Sequence, residues 1–351
     1  MSQTPRLAQL DALRGIAALA VVLFHYTTRY DQLFGHAQAP AVAFPHGWLG
    51  VNLFFMISGF VIFMTLERTA RPMDFVVSRF SRLYPAYWGA IVLTFALTHA
   101  IGLPGKTVGW DVLAVNVTMV QGFFGVPHVD GVYWTLEVEL LFYAWALLSF
   151  RLAGAAGLRH FLFACLALRL VYAAALAFWG VNLPWMGQRW LLLPYICWFA
   201  LGVTIYRLSR PGGAASSSRW DVALAVAALG VMGVCDGWDL AALAAVFYAV
   251  LYGAAKGRWT WLEHPVLLWL GAISYTLYLL HENIGWAVLR RLESWGVEVH
   301  LAIALTMALA AALAHALTHF VEQPAMRWIR DRYRARRPNG PLARAAGEGG
   351  G

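Results

Sequence analysis

Apolar stretches long enough to cross a membrane recur along almost the whole chain of 351 residues. A membrane-spanning helix needs about 17–25 mostly apolar residues, because its backbone must form its own hydrogen bonds within hydrocarbon. Hydrophobic residues make up 60% of the sequence and charged residues only 13%, which excludes an ordinary water-soluble domain. We therefore predict an all-α, multi-pass membrane helix bundle of about ten spans. These are Leu10–Tyr26, Trp48–Leu66, Tyr84–Ile101, Trp134–Phe150, Phe161–Trp179, Trp190–Tyr206, Trp220–Cys235, Leu240–Tyr252, Pro265–Asn283 and His300–Phe320.

The basic residues predict the orientation of these spans, because Lys and Arg accumulate in short cytoplasmic loops. With ten spans and a cytoplasmic N-terminus, 19 Lys and Arg residues fall inside and 5 outside. This bias requires that the apolar segment Asp111–Val120, about half the spanning length, does not cross the membrane. We predict that this segment is re-entrant or lies at the surface, and that both termini are cytoplasmic.

Residues 1–330 form a single membrane domain in this interpretation, and residues 331–351 a disordered, basic and Gly-rich cytoplasmic tail. The net charge of +8 does not indicate nucleic-acid binding, because the basic residues are spread over several loops. The three cysteines are isolated, so neither a disulfide framework nor a zinc site is expected. His315, His319 and Glu322 have a helical spacing that could hold a metal, but no further strong ligand accompanies them, and we predict no metal site.

The first span carries three ionisable residues, Asp11, Arg14 and His25. A charged side chain near the centre of a membrane helix costs roughly 2.5–3.5 kcal/mol on insertion scales, so each needs a partner or a function. At about 100° per residue, all three fall on one stripe of the helix. The stripe could line a cavity, with a cation near the cytoplasm and an imidazole nearer the outer face. It could also be a packing network, in which Arg14 pairs with Asp11 and His25 bonds a carbonyl.

The fourth span adds Glu139, with Thr135 and Tyr143 on the same face at i−4 and i+4. Glu137 points about 200° away, so the two glutamates cannot serve one pocket as an acid and base pair. We predict that Glu139 faces the interior. The alternative is a structural ion pair between Glu139 and an arginine.

Two further groups complete the polar positions. Ser274, Tyr278 and His281 share one stripe of the ninth span, and His281 could bind an acceptor hydroxyl or cap the helix. Arg79 and Arg82 lie on the predicted cytoplasmic side at i and i+3.

Six segments, taken together and in order, resemble the acyltransferase-3 family of bacterial membrane acyltransferases. The resemblance extends from Leu10 to Arg327, and the first segment contains the family's Arg and His separated by ten residues, here Arg14 and His25. The six segments are Leu10–His25, Gly47–Phe60, Arg79–Trp88, Trp134–Tyr143, Ser274–His281 and Glu322–Pro324.

The resemblance implies an enzyme that takes an acyl group, usually acetyl, from acyl-coenzyme A on the cytoplasmic side of the bacterial inner membrane. The acyl group goes to a hydroxyl of an envelope or secreted glycan. Acyl-coenzyme A is then a co-substrate, and no bound cofactor is expected. His25 is expected to act as a general base, or alternatively to carry the acyl group covalently. We predict His25, Arg14 and Glu139 as catalytic residues, Arg79, Arg82 and Arg14 as donor-binding residues, and Tyr278 and His281 as acceptor-side residues.

A transporter of a small polar or anionic substrate is the main alternative, since intramembrane Arg, His and Glu also build substrate paths. The sequence disfavours it, because it shows neither an inverted repeat nor paired broken helices. The acceptor glycan and the acyl donor are not determined by the sequence.

Overall fold

The structure, a computed structural model, describes the backbone of residues 5–210 and 215–336. Throughout these two ranges the regular structure is helical, as predicted, and no strand occurs in them. The α-helices are α1 (Pro5–Leu23), α2 (Tyr30–Phe34), α3 (Gly50–Arg68), α4 (Pro72–Ile101), α5 (Trp110–Asn116), α6 (Trp134–Trp179), α7 (Trp185–Trp190), α8 (Ile196–Ser209), α9 (Ala215–Asp236), α10 (Trp238–Ala255), α11 (Pro265–Leu280), α12 (Glu282–Ser294), α13 (Val299–Leu317) and α14 (Gln323–Ala335).

Five helical stretches of the described chain are long and apolar enough to cross a membrane. Two shorter apolar helices, α8 and α11, accompany them. The chain is therefore a multi-pass membrane protein, while the number of ten spans and the cytoplasmic termini stay predictions. The five stretches are Ala8–Phe34, Gly47–Arg68, Gly131–Trp179, Trp238–Ala255 and Val299–Ala335.

Helix α6 is long enough for two spans and is interrupted where the sequence predicts the loop between them. Ala153 and Gly154 leave the helical conformation, and Gly154 has a φ of 58°, which glycine adopts at little cost. By contrast, the predicted re-entrant or surface segment Asp111–Val120 contains only the seven-residue α5. At its end, the buried Asn116 side chain donates to the carbonyls of Val112 and Pro127.

Helix α14 extends to Ala335, so the first residues of the predicted tail are helical. The remainder of that predicted disordered tail, residues 337–351, lies outside the described part of the chain.

The crossing of α1 and α11 positions the candidate site. A Cβ atom on Gly15 would lie 2.6 Å from the backbone nitrogen of Gly271, and one on Gly271 would lie 2.3 Å from the carbonyl oxygen of Asp11. Only glycine permits such a close approach of two membrane helices. The crossing brings the face of Arg14 and His25 against the helix that carries Tyr275 and Tyr278.

A second close crossing joins α3 to α8 in the same way. A Cβ on Gly59 would lie 2.3 Å from the carbonyl oxygen of Phe199, and one on Gly202 would meet the carbonyl of Met56. Helix α3 also packs against α1, where Gly50 faces the carbonyl of Ala17. The three helices α1, α3 and α11 thus surround the space in which the predicted polar residues lie.

Two π-helical segments interrupt the regular helices, at Phe24–Arg29 after α1 and at Thr318–Glu322 after α13. The first contains His25, and the second ends at Glu322, which binds a predicted donor-site arginine. Such segments often occur at functional sites.

Candidate active site

A cavity of about 200 Å³ lies between α1, α3, α4, α6 and α11. Five of the residues predicted from sequence line it, although they come from four different helices. His25 and His281 are not among the residues that line it. The five are Arg14, Arg79, Arg82, Glu139 and Tyr278.

Two of the cavity's arginines have carboxylate partners. Arg14 lies 3.6 Å from Asp11, the pairing expected from their spacing. Arg82 forms an ion pair with Glu322, whose side chain is fully buried, and its guanidinium lies 5.7 Å from the centre of the Tyr275 ring. Arg82 is therefore both a cavity cation and the counter-ion of a buried carboxylate.

Arg79 differs from Arg82 although the two are three residues apart. One Nη atom of Arg79 donates to the Ser78 hydroxyl at 3.2 Å, while its Nε is buried without a hydrogen-bond partner among the described residues. It forms no ion pair with any described carboxylate, and neither does Arg330, a fourth cavity arginine that comes from α14. Both guanidinium groups are half-buried and lack a counter-ion among the described residues, so these two arginines favour an anionic ligand.

Glu139 faces the cavity. One of its oxygens accepts hydrogen bonds from the hydroxyls of Ser58 at 2.6 Å and Tyr143 at 2.5 Å. The ion pair considered for Glu139 is instead made by Glu137, which lies 2.7 Å from Arg189 and is fully buried. Both glutamates are therefore interior, contrary to the expectation that only Glu139 is, but only Glu139 reaches the cavity.

His25 and His281 meet face to edge, with ring centres 4.8 Å apart. Nδ1 of His25 lies 2.9 Å from the Val21 carbonyl, and Nδ1 of His281 lies 2.8 Å from the Tyr278 carbonyl. Carbonyls only accept, so each Nδ1 carries a proton. His281 is fully buried and packs against His25, so it is not an exposed helix cap.

These bonds determine which nitrogen of His25 is basic. Nε2 of His281 lies 3.2 Å from Nδ1 of His25 and, in a neutral ring, accepts from it. The lone pair of neutral His25 is then on Nε2, which lies 3.3 Å from Oε2 of Glu282. A proton that reaches Nε2 of His25 can therefore be donated to Glu282 in a hydrogen bond.

Glu282 is held in a tight space next to a second carboxylate. A Cβ on Gly131 would lie 2.2 Å from Oε1 of Glu282, so glycine makes room for the carboxylate. Asp130, in the loop before α6, accepts from the backbone nitrogens of Val132 and Asn283. Burial, and secondly the charge of Glu282, raises the pKa of Asp130 well above its usual value.

Tyr278 links the two parts of the site. It lines the cavity, and its ring centre lies 5.6 Å from that of His281. Its hydroxyl lies 3.0 Å from the Thr135 hydroxyl, next to the face that carries Glu139. We use the name histidine cluster for His25, His281, Glu282 and Asp130.

Sequence reasoning missed Glu282, Arg330 and Ser58. Glu282 lies within the predicted ninth span, where the cost of a buried charge could have indicated it. Arg330 was counted only as one of the basic residues near the C-terminus, and Ser58 is a common residue in an apolar helix. Nothing in the sequence alone brings these two to the cavity.

Known proteins identify the chain's family. A family profile described as an acyltransferase domain matches residues 7–318. Acyltransferase MdmB of Streptomyces mycarofaciens is 29% identical over 315 residues, covering 79% of this chain and 78% of MdmB. Exopolysaccharide production protein ExoZ of Rhizobium meliloti is 31% identical over 119 residues, covering 32% of this chain and 37% of ExoZ.

A further relative is peptidoglycan O-acetyltransferase OatA of Listeria monocytogenes, 26% identical over 153 residues, covering 38% of this chain and 22% of OatA. No solved structure matches the chain significantly. The profile covers nearly the whole described bundle, and five of the six segments that carried the resemblance contribute residues to its cavity. The chain therefore belongs to the acyltransferase-3 family of membrane acyltransferases.

Proposed function

We propose that the chain is an O-acyltransferase of the bacterial inner membrane that moves an acyl group, preferably acetyl, from acyl-coenzyme A to a glycan hydroxyl. One observation carries the proposal: an arginine-lined cavity adjoins, through Tyr278 and His281, the histidine His25, whose basic nitrogen faces a buried carboxylate. The first part suits an anionic donor and the second suits proton transfer. Membership of an acyltransferase family favours this function over the transporter.

The donor's phosphates are proposed to bind at the cavity's arginines. Arg79 and Arg330 are cations with no carboxylate partner among the described residues. Arg14 also lines the cavity and lies on α1, the helix that leads to His25. The uncharged pantetheine arm suits the remaining wall, to which Phe54 and Phe55 contribute. This arrangement directs the thioester toward the histidine cluster.

At His25 the proposed step is general-base catalysis. The acceptor's O–H bond breaks, its proton passes to Nε2 of His25, and its oxygen attacks the thioester carbonyl carbon. Glu282 stabilises the imidazolium that forms. The C–S bond then breaks, and the imidazolium returns the proton to the leaving thiolate. Glu139, which accepts from Ser58 and Tyr143, orients these hydroxyls along the cavity wall.

The names of relatives support a glycan as the acceptor. One is an exopolysaccharide production protein and another a peptidoglycan O-acetyltransferase. We therefore propose an envelope or secreted polysaccharide as the acceptor.

The test is transfer of labelled acetyl from acetyl-coenzyme A to extracted envelope glycans by the full-length protein in lipid vesicles. His25→Ala should reduce turnover by roughly 10²–10⁴-fold, the usual contribution of a general base, and leave donor binding intact. His99→Ala is the matched control, because its Nδ1 also bonds the carbonyl four residues earlier, that of Phe95. Unchanged turnover in His25→Ala, or no turnover in the parent protein, would contradict the proposal.

A further inference from the structure

A second cavity, of about 230 Å³, lies where the start of α4 meets the end of α14. Arg330 lines both this cavity and the cavity of about 200 Å³ described above, which we call the donor cavity. Its side chain therefore forms a wall that the two cavities share. The remaining lining residues are Asp74, Val77, Ser78, Tyr333 and Arg334. The second cavity therefore borders the donor cavity on its predicted cytoplasmic side.

Arg330 is held in place between the two helices. Its Nε donates to the Ser81 hydroxyl at 3.0 Å and one Nη atom donates to the Ser78 carbonyl at 3.4 Å. These neutral partners fix the guanidinium without neutralising its charge. No described carboxylate forms an ion pair with Arg330, so its charge is available to an anionic ligand.

The formal charges of the second cavity also favour an anion. Arg330 and Arg334 are cations, and Asp74 is the one carboxylate among its lining residues. An oxygen of Asp74 accepts from the Tyr333 hydroxyl at 2.7 Å, and Arg334 lies 3.8 Å from Asp331 at the exposed surface. The lining thus has a net positive charge, with Arg330 as its least exposed cation.

The sizes of the two cavities indicate an elongated ligand. The volumes of about 200 and 230 Å³ are each below the roughly 300 Å³ at which ligand pockets usually begin. Acyl-coenzyme A has its thioester at one end and its ribose 3′-phosphate at the other. A molecule of this shape can occupy both cavities.

We propose that the second cavity binds the 3′-phosphate end of the acyl-coenzyme A donor, with Arg330 as the residue that contacts this phosphate. The inference rests on the proposed function and extends it to a part of the chain beyond the family profile, which ends at residue 318. Helix α14 then adds a donor contact to the site formed by the matched region.

An anionic lipid headgroup has the same phosphate chemistry and could reach Arg330 from the predicted inner leaflet. The two sources are separable, because binding of coenzyme A does not need an anionic lipid. Binding is therefore measured in vesicles of phosphatidylcholine alone and in vesicles that also contain phosphatidylglycerol.

The test compares equilibrium binding of coenzyme A and 3′-dephospho-coenzyme A to the full-length protein. The parent should bind coenzyme A about 10-fold more tightly, as expected for one charge-assisted hydrogen bond. Arg330→Gln should bind both ligands with nearly equal affinity. Arg327→Gln is the matched control, because Arg327 lies on the same helix, bonds the Gln323 carbonyl of its own helix, and lines neither cavity.

Equal affinity of the parent for the two ligands, or a 10-fold preference that persists in Arg330→Gln, would overturn the inference and leave the proposed function intact. An effect of Arg330→Gln that occurs only with phosphatidylglycerol would assign the cavity to a lipid and overturn it too. No binding of coenzyme A by the parent would instead contradict the proposed function. The comparison of the two ligands on the parent does not depend on whether a variant folds.

Discussion

The donor cavity and the histidine cluster lie next to each other but are built in opposite ways. The cavity has open space and several arginines, two of which have no carboxylate partner among the described residues. The histidine cluster is closely packed, and His281, Glu282 and Asp130 are at most 5% exposed. One region is suited to hold a charged ligand, and the other to hold a proton at a defined atom.

This difference teaches that the task of a charged residue depends on the partners that surround it. An arginine that already has a counter-ion stabilises the fold, while one without a counter-ion is available for a ligand. Glu139 accepts hydrogen bonds from hydroxyl groups and orients these hydroxyls. Glu282 instead faces the basic nitrogen of His25 and stabilises a proton that binds there. The following predictions test this separation.

The largest effect is expected when Arg82 is replaced by Met. The change leaves the fully buried Glu322 without its counter-ion, which should lower the free energy of unfolding by roughly 3–5 kcal/mol. Arg79→Met should weaken donor binding with little change in stability, because no carboxylate in the described part of the chain pairs with Arg79. Thermal unfolding in detergent and binding of coenzyme A measure the two effects.

The double variant Arg82→Met with Glu322→Gln is the control for this prediction. Removing both charges should recover much of the stability lost in Arg82→Met alone. If Arg79→Met destabilises the protein as much as Arg82→Met does, the two arginines do not differ as the structure indicates.

A smaller effect is expected for Glu282→Gln, which keeps the size of the side chain and removes its charge. The imidazolium of His25 loses its stabilising carboxylate, so kcat should fall about 10-fold while KM for the donor stays unchanged. Steady-state transfer kinetics measure both constants. A change in KM alone would place Glu282 in donor binding and contradict its assignment to the histidine cluster.

Glu293→Gln is the matched control for Glu282→Gln. Glu293 lies 2.7 Å from Nδ1 of the buried His36, so it is a second buried carboxylate paired with a histidine. That pair is not part of the histidine cluster, and its loss should leave kcat within about 2-fold of the parent. Equal losses in both variants would indicate that the effect is structural.

Much of the candidate site was predictable because its residues lie on single helices. The spacing of Asp11 and Arg14, and that of Glu139 and Tyr143, predicted contacts that the structure contains. The family resemblance predicted Arg14, Arg79 and Arg82 as donor-binding residues, and all three line one cavity. Local periodicity and family resemblance were sufficient for these features.

Other partners were not predictable, because they depend on how distant helices pack. His25 and Glu282 are 257 positions apart, and Ser58 and Glu139 are 81 apart, so no local spacing joins them. The preference for Glu139 as the only interior glutamate was wrong, because Arg189 from a distant short helix buries Glu137. The close crossings of α1 with α11 and of α3 with α8 determine these contacts.

The smallest expected effect is a pH dependence of stability from His128, in the loop before α6. Burial, and secondly Arg189, lowers the pKa of His128 from 6.5 to about 4. Between these values the unfolded chain binds more protons than the folded one, so stability falls as the pH is lowered. His128→Gln should reduce this slope, measured by unfolding between pH 4 and pH 7. An unchanged slope would contradict the assignment of this acid sensitivity to His128.

The π-helical segment Phe24–Arg29 lets the chain carry one residue more than a regular helix of the same length would. Each wide turn contains one residue more than an α-helical turn, while the helix between Arg14 and Leu23 is regular. Deleting one residue after His25 within the segment would restore ordinary helix and leave the later residues, such as Tyr30, in their orientation. Deleting one residue between Arg14 and Leu23 would instead rotate Arg14 by about 100° relative to His25. The segment should therefore tolerate a single deletion better than the regular helix before it does.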